Sequence, residues 1–453
     1  MPDARPAFVF DGGRCTGCAA CQVACGIENA AGGDPGWRRI LTLNPSRHPA
    51  LPTVHLSLAC NHCDTPECLL ACPAAAYRRD AATGAVLLDE TKCLGCRYCS
   101  WVCPFDAPRF DAARGVMTKC TFCAPRLAAG GEPACTAGCP TGALTLGVHV
   151  AGEPEPSGPG LAPSGLGPAL RLVPPRRPAF SAAAAGDEDE PSRPLQPLPP
   201  RKIRLAAEWP LVAFTVLLPA LVAWLAAAGS PLALQPDRSP PTALVLGAGL
   251  ACLALAGLHL GRPFRAWRAL HNLGSSWLSR EVLCANLFLG AVALGGLTAA
   301  ESSAARLAGA IALAAGAGLL LSIDRVYRAV PRPAPRRTHP AEATLAGFFL
   351  FTLLAGILPL AVALGTARAL LLVRTARRGD WGLSPPWAAL RLALLTLACA
   401  LSFAWPLAWP LAFAVALIGE AIDRTAFFAA LEPTSPAREM AGRVTLAAAP
   451  PRS

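Results

Sequence analysis

Histidine is scarce where a haem protein would need it. Of seven histidines in the 453-residue chain, only His259, His271 and His339 fall in the apolar second half, the last two in arginine-rich loops. A dihaem membrane subunit needs several within its spans, so no haem is expected. An export signal is missing as well. Met1 to Phe10 carry neither a basic stretch ahead of an apolar run nor a twin arginine. The N-terminal part is therefore expected in the cytoplasm, where a disulfide framework would not persist. Beyond residue 140 cysteine is rare too: Cys252, Cys284 and Cys399 stand alone in apolar runs and read as core residues. Nothing resembles a substrate pocket or a pterin site, so the chain alone is not expected to turn over a terminal substrate.

Before residue 140 cysteine is abundant. Sixteen of the nineteen cysteines form four groups of four. Cys15, Cys18, Cys21 and Cys25 have the spacing C-x2-C-x2-C-x3-C. Cys60, Cys63, Cys68 and Cys72 follow as C-x2-C-x4-C-x3-C-P. Cys93, Cys96, Cys99 and Cys103 repeat the first spacing, with a closing proline. Cys120 and Cys123 form a pair, completed after a long loop by Cys135 and Cys139. The compact run resembles the bacterial ferredoxin pattern, in which the fourth cysteine serves the other cluster of a pair. Zinc sites use two pairs per ion, not three close cysteines and a displaced fourth. The expectation is four [4Fe-4S] clusters. It also tempers the formal charge of +11. With each oxidised cluster and its thiolates at about −2, the total falls to roughly +3. The remaining arginines gather in loops between apolar runs, which argues for membrane orientation and against nucleic acid.

The organisation read along the chain has four parts. Residues 1–150 form an α+β ferredoxin-like domain with two [4Fe-4S] cluster pairs, in which short strands wrap the cysteine loops. Residues 151–205, rich in Pro, Gly and Ala and carrying the acidic run Asp187 to Glu190, read as a linker. Residues 206–432 read as an all-α polytopic membrane domain of seven or eight helices, and 433–453 as a tail. Clear spans are 209–228, 241–261, 282–299, 305–323 and 387–408. The stretch 345–374 is too long for one crossing and too short for two full ones. The stretch 410–430 carries Glu420, Asp423 and Arg424, which read as an intrahelical Glu420–Arg424 pair at i, i+4 spacing or as a proton relay. Arg201, Lys202 and Arg204 precede the first span, and Arg262, Arg265, Arg268 and Arg280 follow the second. Arg325 through Arg337 follow the fourth, whereas the loops after the first and third spans carry only Asp237 with Arg238 and Glu301 with Arg306. By the positive-inside rule the ferredoxin domain of this multi-pass inner-membrane protein is expected in the cytoplasm.

Two stretches carry a closer resemblance. Ser57-Leu58-Ala59-Cys60-Asn61-His62-Cys63 and Cys96-Arg97-Tyr98-Cys99-Ser100-Trp101-Val102-Cys103-Pro104, with the split group last, resemble the four-cluster ferredoxin subunit of molybdopterin oxidoreductases. The DMSO reductase type is the nearest, over nearly all of 5–148. That resemblance implies crossed pairing: Cys15, Cys18 and Cys21 with Cys139, and Cys120, Cys123 and Cys135 with Cys25. Likewise Cys93, Cys96 and Cys99 go with Cys72, and Cys60, Cys63 and Cys68 with Cys103. Some relatives lack the second cysteine of the third group and carry a [3Fe-4S] cluster, so Cys96 implies four cubanes here. His259-Leu260-Gly261-Arg262-Pro263-Phe264-Arg265-Ala266-Trp267-Arg268 and Ser276 through Glu281 resemble the DMSO reductase anchor subunit, with a weaker match over 209–430. The resemblance implies quinol oxidation without haem, and a fusion of two subunits that are ordinarily separate.

His259 ends the second expected span and Glu281 begins the third, so both belong to the face at which the chain enters. An imidazole and a partly buried carboxylate there suit the two protons that a quinol releases. Pattern alone leaves open a helix-capping His259 and a Glu281 paired with Arg262 or Arg280. The resemblance turns the reading toward a quinone site of His259, Glu281 and Arg262, with Arg262 also suited to interfacial anchoring. The expected role is electron transfer between menaquinone or ubiquinone and a separate molybdopterin-containing catalytic subunit. Electrons would run either to an acceptor such as a sulfoxide or from a sulfur compound such as sulfite. The other readings are a quinone-independent tethered ferredoxin and a proton-translocating anchor like that of polysulfide reductase.

Overall fold

The computed structural model describes residues 4–29, 36–47, 52–173, 197–229, 239–299, 302–332, 338–404 and 408–447. The chain divides into two units, Met1–Lys202 with Pro433–Ser453, and Ile203–Glu432. The acidic run Asp187 to Glu190, together with Asp237, Arg238, Glu301, Arg336 and Arg337, lies outside the described residues.

The first unit begins with strand β1 (Ala4–Asp11), followed by helix α1 (Ala20–Glu28) and strands β2 (Arg39–Leu43) and β3 (Val54–Leu58). Next come α2 (Glu67–Leu70), β4 (Tyr77–Arg79), β5 (Val86–Leu88) and α3 (Tyr98–Val102). Then follow β6 (Arg109–Asp111), β7 (Val116–Thr118), α4 (Ala124–Ala128), α5 (Ala134–Ala137), β8 (Leu144–Val150) and β9 (Leu170–Val173). Pairs β2–β3, β4–β5 and β6–β7 are antiparallel hairpins. The last two share one turn device. Asp80 accepts from the Thr83 amide ahead of Gly84, and Asp111 accepts from the Arg114 amide ahead of Gly115. Both glycines take positive φ, +69° and +64°, which lets the chain reverse. Strand β1 is central to a fourth sheet, antiparallel to β8 and parallel to β9. Its Phe8 and Phe10 enter a core shared with Leu43, Leu56, Leu58 and Leu144.

Two stretches differ from the expected linker and tail. Residues 151–173 belong to the folded unit because Glu155 accepts from the amides of Gly165 (3.1 Å) and Gly167 (2.7 Å), and β9 then pairs with β1. The glycines that suggested flexibility supply amides that can crowd around one carboxylate. Residues 436–447 form a helix whose Met440 and Val444, one turn apart, join the same core.

The second unit contains eight α-helices among its described residues: α6 (Leu205–Ala228), α7 (Thr242–Leu258), α8 (Trp277–Leu297), α9 (Ser303–Arg328), α10 (Ala343–Leu354), α11 (Leu358–Arg377), α12 (Pro385–Ala404) and α13 (Trp409–Ala430). Five of them, α6, α8, α9, α11 and α12, are long and apolar enough to cross a membrane. A sixth span arises if α7 is counted with the 3-10 helix Pro263–Leu270, from which it is bent by 108°. Gly261 and Pro263 account for the bend, since proline offers no amide to continue the ladder. The stretch 345–374 falls on two helices. Gly356 at φ +76° ends α10, and Pro359 opens α11. Arg368 in α11 then returns to the Pro340 carbonyl (3.0 Å) just ahead of α10, so the pair folds back as a hairpin. Close helix approach depends on small residues. A Cβ on Gly316 of α9 would stand 2.7 Å from Val222 of α6.

The charges of α13 are bound by its neighbours, which corrects the intrahelical pair expected from spacing. Arg368 of α11 reaches Glu420 (2.7 Å) and Asp423 (2.9 Å). Arg391 of α12 reaches Asp423 (2.8 Å) and Glu420 (3.2 Å). All four side chains are almost fully buried. Arg424 donates instead to Thr215 of α6 (2.8 Å) and to the Ala341 carbonyl (2.9 Å). Two guanidinium groups from other helices outcompete one flexible partner a turn away, because each completes a fixed fork around both carboxylates. Removing one carboxylate should therefore cost far more than a surface pair. Glu420→Ala is expected to destabilise the helical unit by about 3–5 kcal/mol, as a lowered thermal midpoint in detergent, and an unchanged midpoint would refute the network's role.

Candidate functional site

The cysteine loops are wound left-handed. In the first, Gly17 and Ala19 take φ of +71° and +61°, and in the third, Gly95 and Arg97 take +70° and +60°. His62 and Phe122 do the same within the second and fourth pairs, at +45° and +62°. Four of these six are neither glycine nor asparagine, so the backbone carries strain there. The winding turns successive side chains to one side of the loop. A short helix then carries the fourth cysteine of the first and third groups away.

The displaced cysteines change partners. Cys60, Cys63 and Cys68 line one cavity with Cys103. Cys15, Cys18 and Cys21 line another with Cys139. Cys120, Cys123 and Cys135 line a third with Cys25. Cys72 sits within electrostatic reach of Cys93, Cys96 and Cys99. Three of the quartets surround a space. Among the described residues, no three His, Cys, Asp or Glu side chains converge on a point where a single ion would sit. Ligands of a cubane stand on four different irons, farther apart than the ligands of one zinc ion.

The chemistry around the sulfurs suits such a core. The Gly95 and Met117 amides donate to Cys93 Sγ at 3.3 and 3.4 Å. Phe122 donates to Cys120 Sγ (3.3 Å), Ala76 to Cys72 Sγ (3.4 Å) and Leu144 to Cys139 Sγ (3.4 Å). Such donors stabilise sulfur that carries negative charge. Without a metal Cys96 would hold its proton: burial, and then the charge of Cys72, pushes its thiol up to about 12. Four neighbouring sulfurs can all be thiolates only around a cationic core. The residues fit an iron–sulfur group.

The quartets stand in line. Cys21 of the first acts on Cys135 of the next, Cys120 of that one on Cys60, and Cys68 on Cys72 of the last. Buried Lys119 donates to the Cys120 carbonyl (2.9 Å) between the second and third of the line. Lys202 donates to the Cys103 carbonyl (2.8 Å) and pairs with Asp106. Lys119 was not singled out from the sequence, where an isolated Lys looks like any surface residue, and Lys202 was read there only as one of the basic residues ahead of the first span.

In the helical unit His259 follows the last turn of α7, and Arg262 opens the 3-10 helix. Glu281 lies in the first turns of α8, which Ser276 caps by accepting from the Ser279 amide (3.3 Å). It is buried, and the charged groups acting on it are Arg424 and Asp324, neither Arg262 nor Arg280. Arg280 instead donates to the carbonyls of Leu273 and Gly274 (2.9 and 2.7 Å).

Asp324 and Arg424 also line a cavity of about 390 Å³ with Tyr327, Arg332, His339 and Glu342. Its acids are already engaged. Asp324 accepts from the Ala343 amide (2.7 Å) and the Thr344 amide (3.0 Å), capping α10, and Glu342 pairs with Arg328 (3.0 Å). Its donors are not all engaged. His339 Nδ1 accepts from the Ala341 amide (3.1 Å), which leaves the ring proton on Nε2. Both His339 Nε2 and Arg424 Nη2 are buried without a partner. Sequence reasoning passed over His339 as one more loop histidine; its nearness to Arg424 exists only in the fold.

Comparison with known proteins decides the family. Over 148 residues the chain is 40% identical to the probable anaerobic dimethyl sulfoxide reductase chain YnfG of Escherichia coli, covering 31% of this chain and 72% of that protein. The chain belongs to the family of dimethyl sulfoxide reductase iron–sulfur subunits. An anaerobic dimethyl sulfoxide reductase chain from Haemophilus influenzae is 39% identical over 146 residues, 30% of this chain and 71% of the relative. A sulfite dehydrogenase subunit from Allochromatium vinosum is 36% identical over 165 residues, 32% of this chain and 69% of the relative. Residues 52–149 match the 4Fe-4S dicluster domain. Residues 205–376 match the DMSO reductase anchor subunit. This family member is therefore an iron–sulfur subunit and a membrane anchor fused in one polypeptide.

The loop before α10 also sets a pH dependence. Burial, followed by the charges of Arg424 and Arg332, pushes His339 from 6.5 down to about 3. An unfolded histidine binds its proton near 6.5, so stability is full above that pH and declines as pH falls toward 3. Lowering the pH from 7 to 5 should reduce the stability of the helical unit by about 2 kcal/mol. In His339→Asn that pH dependence should shrink, as read from thermal midpoints in detergent.

Proposed function

We propose that this chain carries electrons between the membrane quinone pool and a separate molybdopterin-containing catalytic subunit, through four [4Fe-4S] clusters held by the sixteen cysteines. The observation that carries the reading is the line of four quartets in a chain that also contains its own anchor. In the assignment we favour, Cys15, Cys18, Cys21 and Cys139 hold one cluster, and Cys25, Cys120, Cys123 and Cys135 the next. Cys60, Cys63, Cys68 and Cys103 hold the third, and Cys72, Cys93, Cys96 and Cys99 the last. When bound, the clusters supply one-electron steps, while the chain supplies spacing, burial and donors to sulfur.

The quinone end is proposed at Glu281, with His259 and Arg262 near the same membrane boundary. The reading is supported by the cavity whose lining residues Asp324 and Arg424 act on Glu281. A quinol gives up two electrons and two protons on becoming a quinone. Glu281 takes one phenolic proton and water takes the second, while the unpartnered N–H groups of His339 and Arg424 hold the ring oxygens as negative charge develops there. The ferredoxin part faces the cytoplasm, in keeping with the arginines of the loops after α7 and α9. The substrate class of the complex is a sulfur compound, reduced or oxidised by the catalytic subunit. The relative named as a sulfite dehydrogenase subunit supports the oxidative direction.

Purified full-length chain with its iron provides the test. A reduced quinone analogue should bleach the cluster absorbance, and Glu281→Gln should slow that bleaching by roughly 10²-fold while chemical reduction proceeds unchanged. Equal rates in the two proteins would remove Glu281 from the site. No bleaching in the native protein would favour the quinone-independent tether. Metal analysis of the complex pulled down from membranes should find molybdenum or tungsten in the large partner.

A further inference from the structure

Arg38 has no surface role: it is 1% exposed. Its Nη1 donates to the Ser57 carbonyl (3.3 Å) and to Ser57 Oγ (3.1 Å), and its guanidinium lies 4.2 Å over the Phe8 ring. The other two nitrogens, Nε and Nη2, have no oxygen or nitrogen partner. What surrounds them is sulfur. Arg38 lines the cavity of Cys25, Cys120, Cys123 and Cys135. On its other side the same Ser57 Oγ stands 3.4 Å from Cys21 Sγ, in the quartet of Cys15, Cys18 and Cys139. The charges of Cys135, Cys120 and Cys21 all act on it. A permanent cation is thus enclosed between two quartets, and the charges that act on it are those of sulfurs.

We propose that Arg38 is a potential-setting residue, whose buried charge raises the reduction potentials of the two clusters on either side of it. The inference rests on reading those quartets as clusters. An electron arriving at either quartet adds one negative charge beside the guanidinium, and attraction across a low-dielectric gap favours that state over the oxidised one. Leaving, the electron returns the charge to its former value. Arg38 exchanges neither electron nor proton in the process, because a guanidinium stays charged throughout the working range of pH. It also offsets the repulsion between two buried anionic groups, whose Cys21 and Cys135 sulfurs act directly on each other. The neighbouring gap in the line holds Lys119, which the sulfurs of Cys68 and Cys120 feel as an opposite charge. A cation between successive quartets is thus found at two of the three steps.

Redox titration of the membrane-bound full chain, followed by electron paramagnetic resonance, reads this directly. In Arg38→Gln two of the cluster signals should move to lower midpoint potential while the others stay. Arg38→Lys, which keeps the charge, should leave all of them near their native values. Iron and sulfide content measured alongside keeps the test decisive if a variant loads poorly. Loss of that pair in Arg38→Gln with retention in Arg38→Lys carries the same conclusion. Unmoved potentials in a fully loaded Arg38→Gln, or equal changes in both variants, would overturn it. A native chain without the signals would sink the cluster reading itself, which is a different result.

Discussion

Sixteen sulfurs, most of them buried, are the constraint on which the first unit depends. A thiolate inside protein is costly, and groups of four are costlier, since each sulfur repels the other three. The surrounding structure answers this in layers. Left-handed loops aim the side chains, backbone amides donate to sulfur, and Arg38 and Lys119 place positive charge between quartets. Little ordinary core is left over. Apart from the cluster of Phe8, Leu58, Phe122 and their neighbours, the strands are short and in pairs. A metal core at the centre of each quartet would supply folding free energy that such a small apolar core does not.

The helical unit meets the same difficulty with the opposite inventory. Arg368, Arg391, Glu420 and Asp423 are charged and buried, and they balance as two cations and two anions drawn from three helices. Arg424 stands outside that balance. It is wrapped by Tyr327, Phe427 and Phe428, with ring centroids 4.9, 4.8 and 5.7 Å away, and Glu281 feels its charge. One half of the chain thus neutralises anions with inserted cations, and the other half neutralises cations with paired carboxylates. In both, the buried charge without a full partner lies beside the proposed chemistry.

Much of this was legible along the chain. Cysteine spacing indicated the loops, the closing prolines marked the displaced fourth residue, and the long Ala/Leu runs marked the helices. These signals are readable because each is local: a ligand loop needs its three thiols within a few residues, and a span needs its apolar length unbroken. Local signals also misled. Gly165 and Gly167 looked like linker glycines until Glu155, ten and twelve residues earlier, was found to use their amides. Glu420 and Arg424 looked like partners at helical spacing, although both had better ones on other helices.

The sequence by itself determined the class of cofactor, the family and the presence of a membrane anchor. Thiol spacing and hydropathy are properties of short segments, and they survive any arrangement of the rest. Only the tertiary structure decided which side chains share a buried space. Arg38 came to lie between Cys21 and Cys135, and Asp324, His339 and Arg424 came to share one cavity. Those neighbours lie between 15 and 100 residues apart in the chain. Their charges interact because folding removes the water that would otherwise screen them.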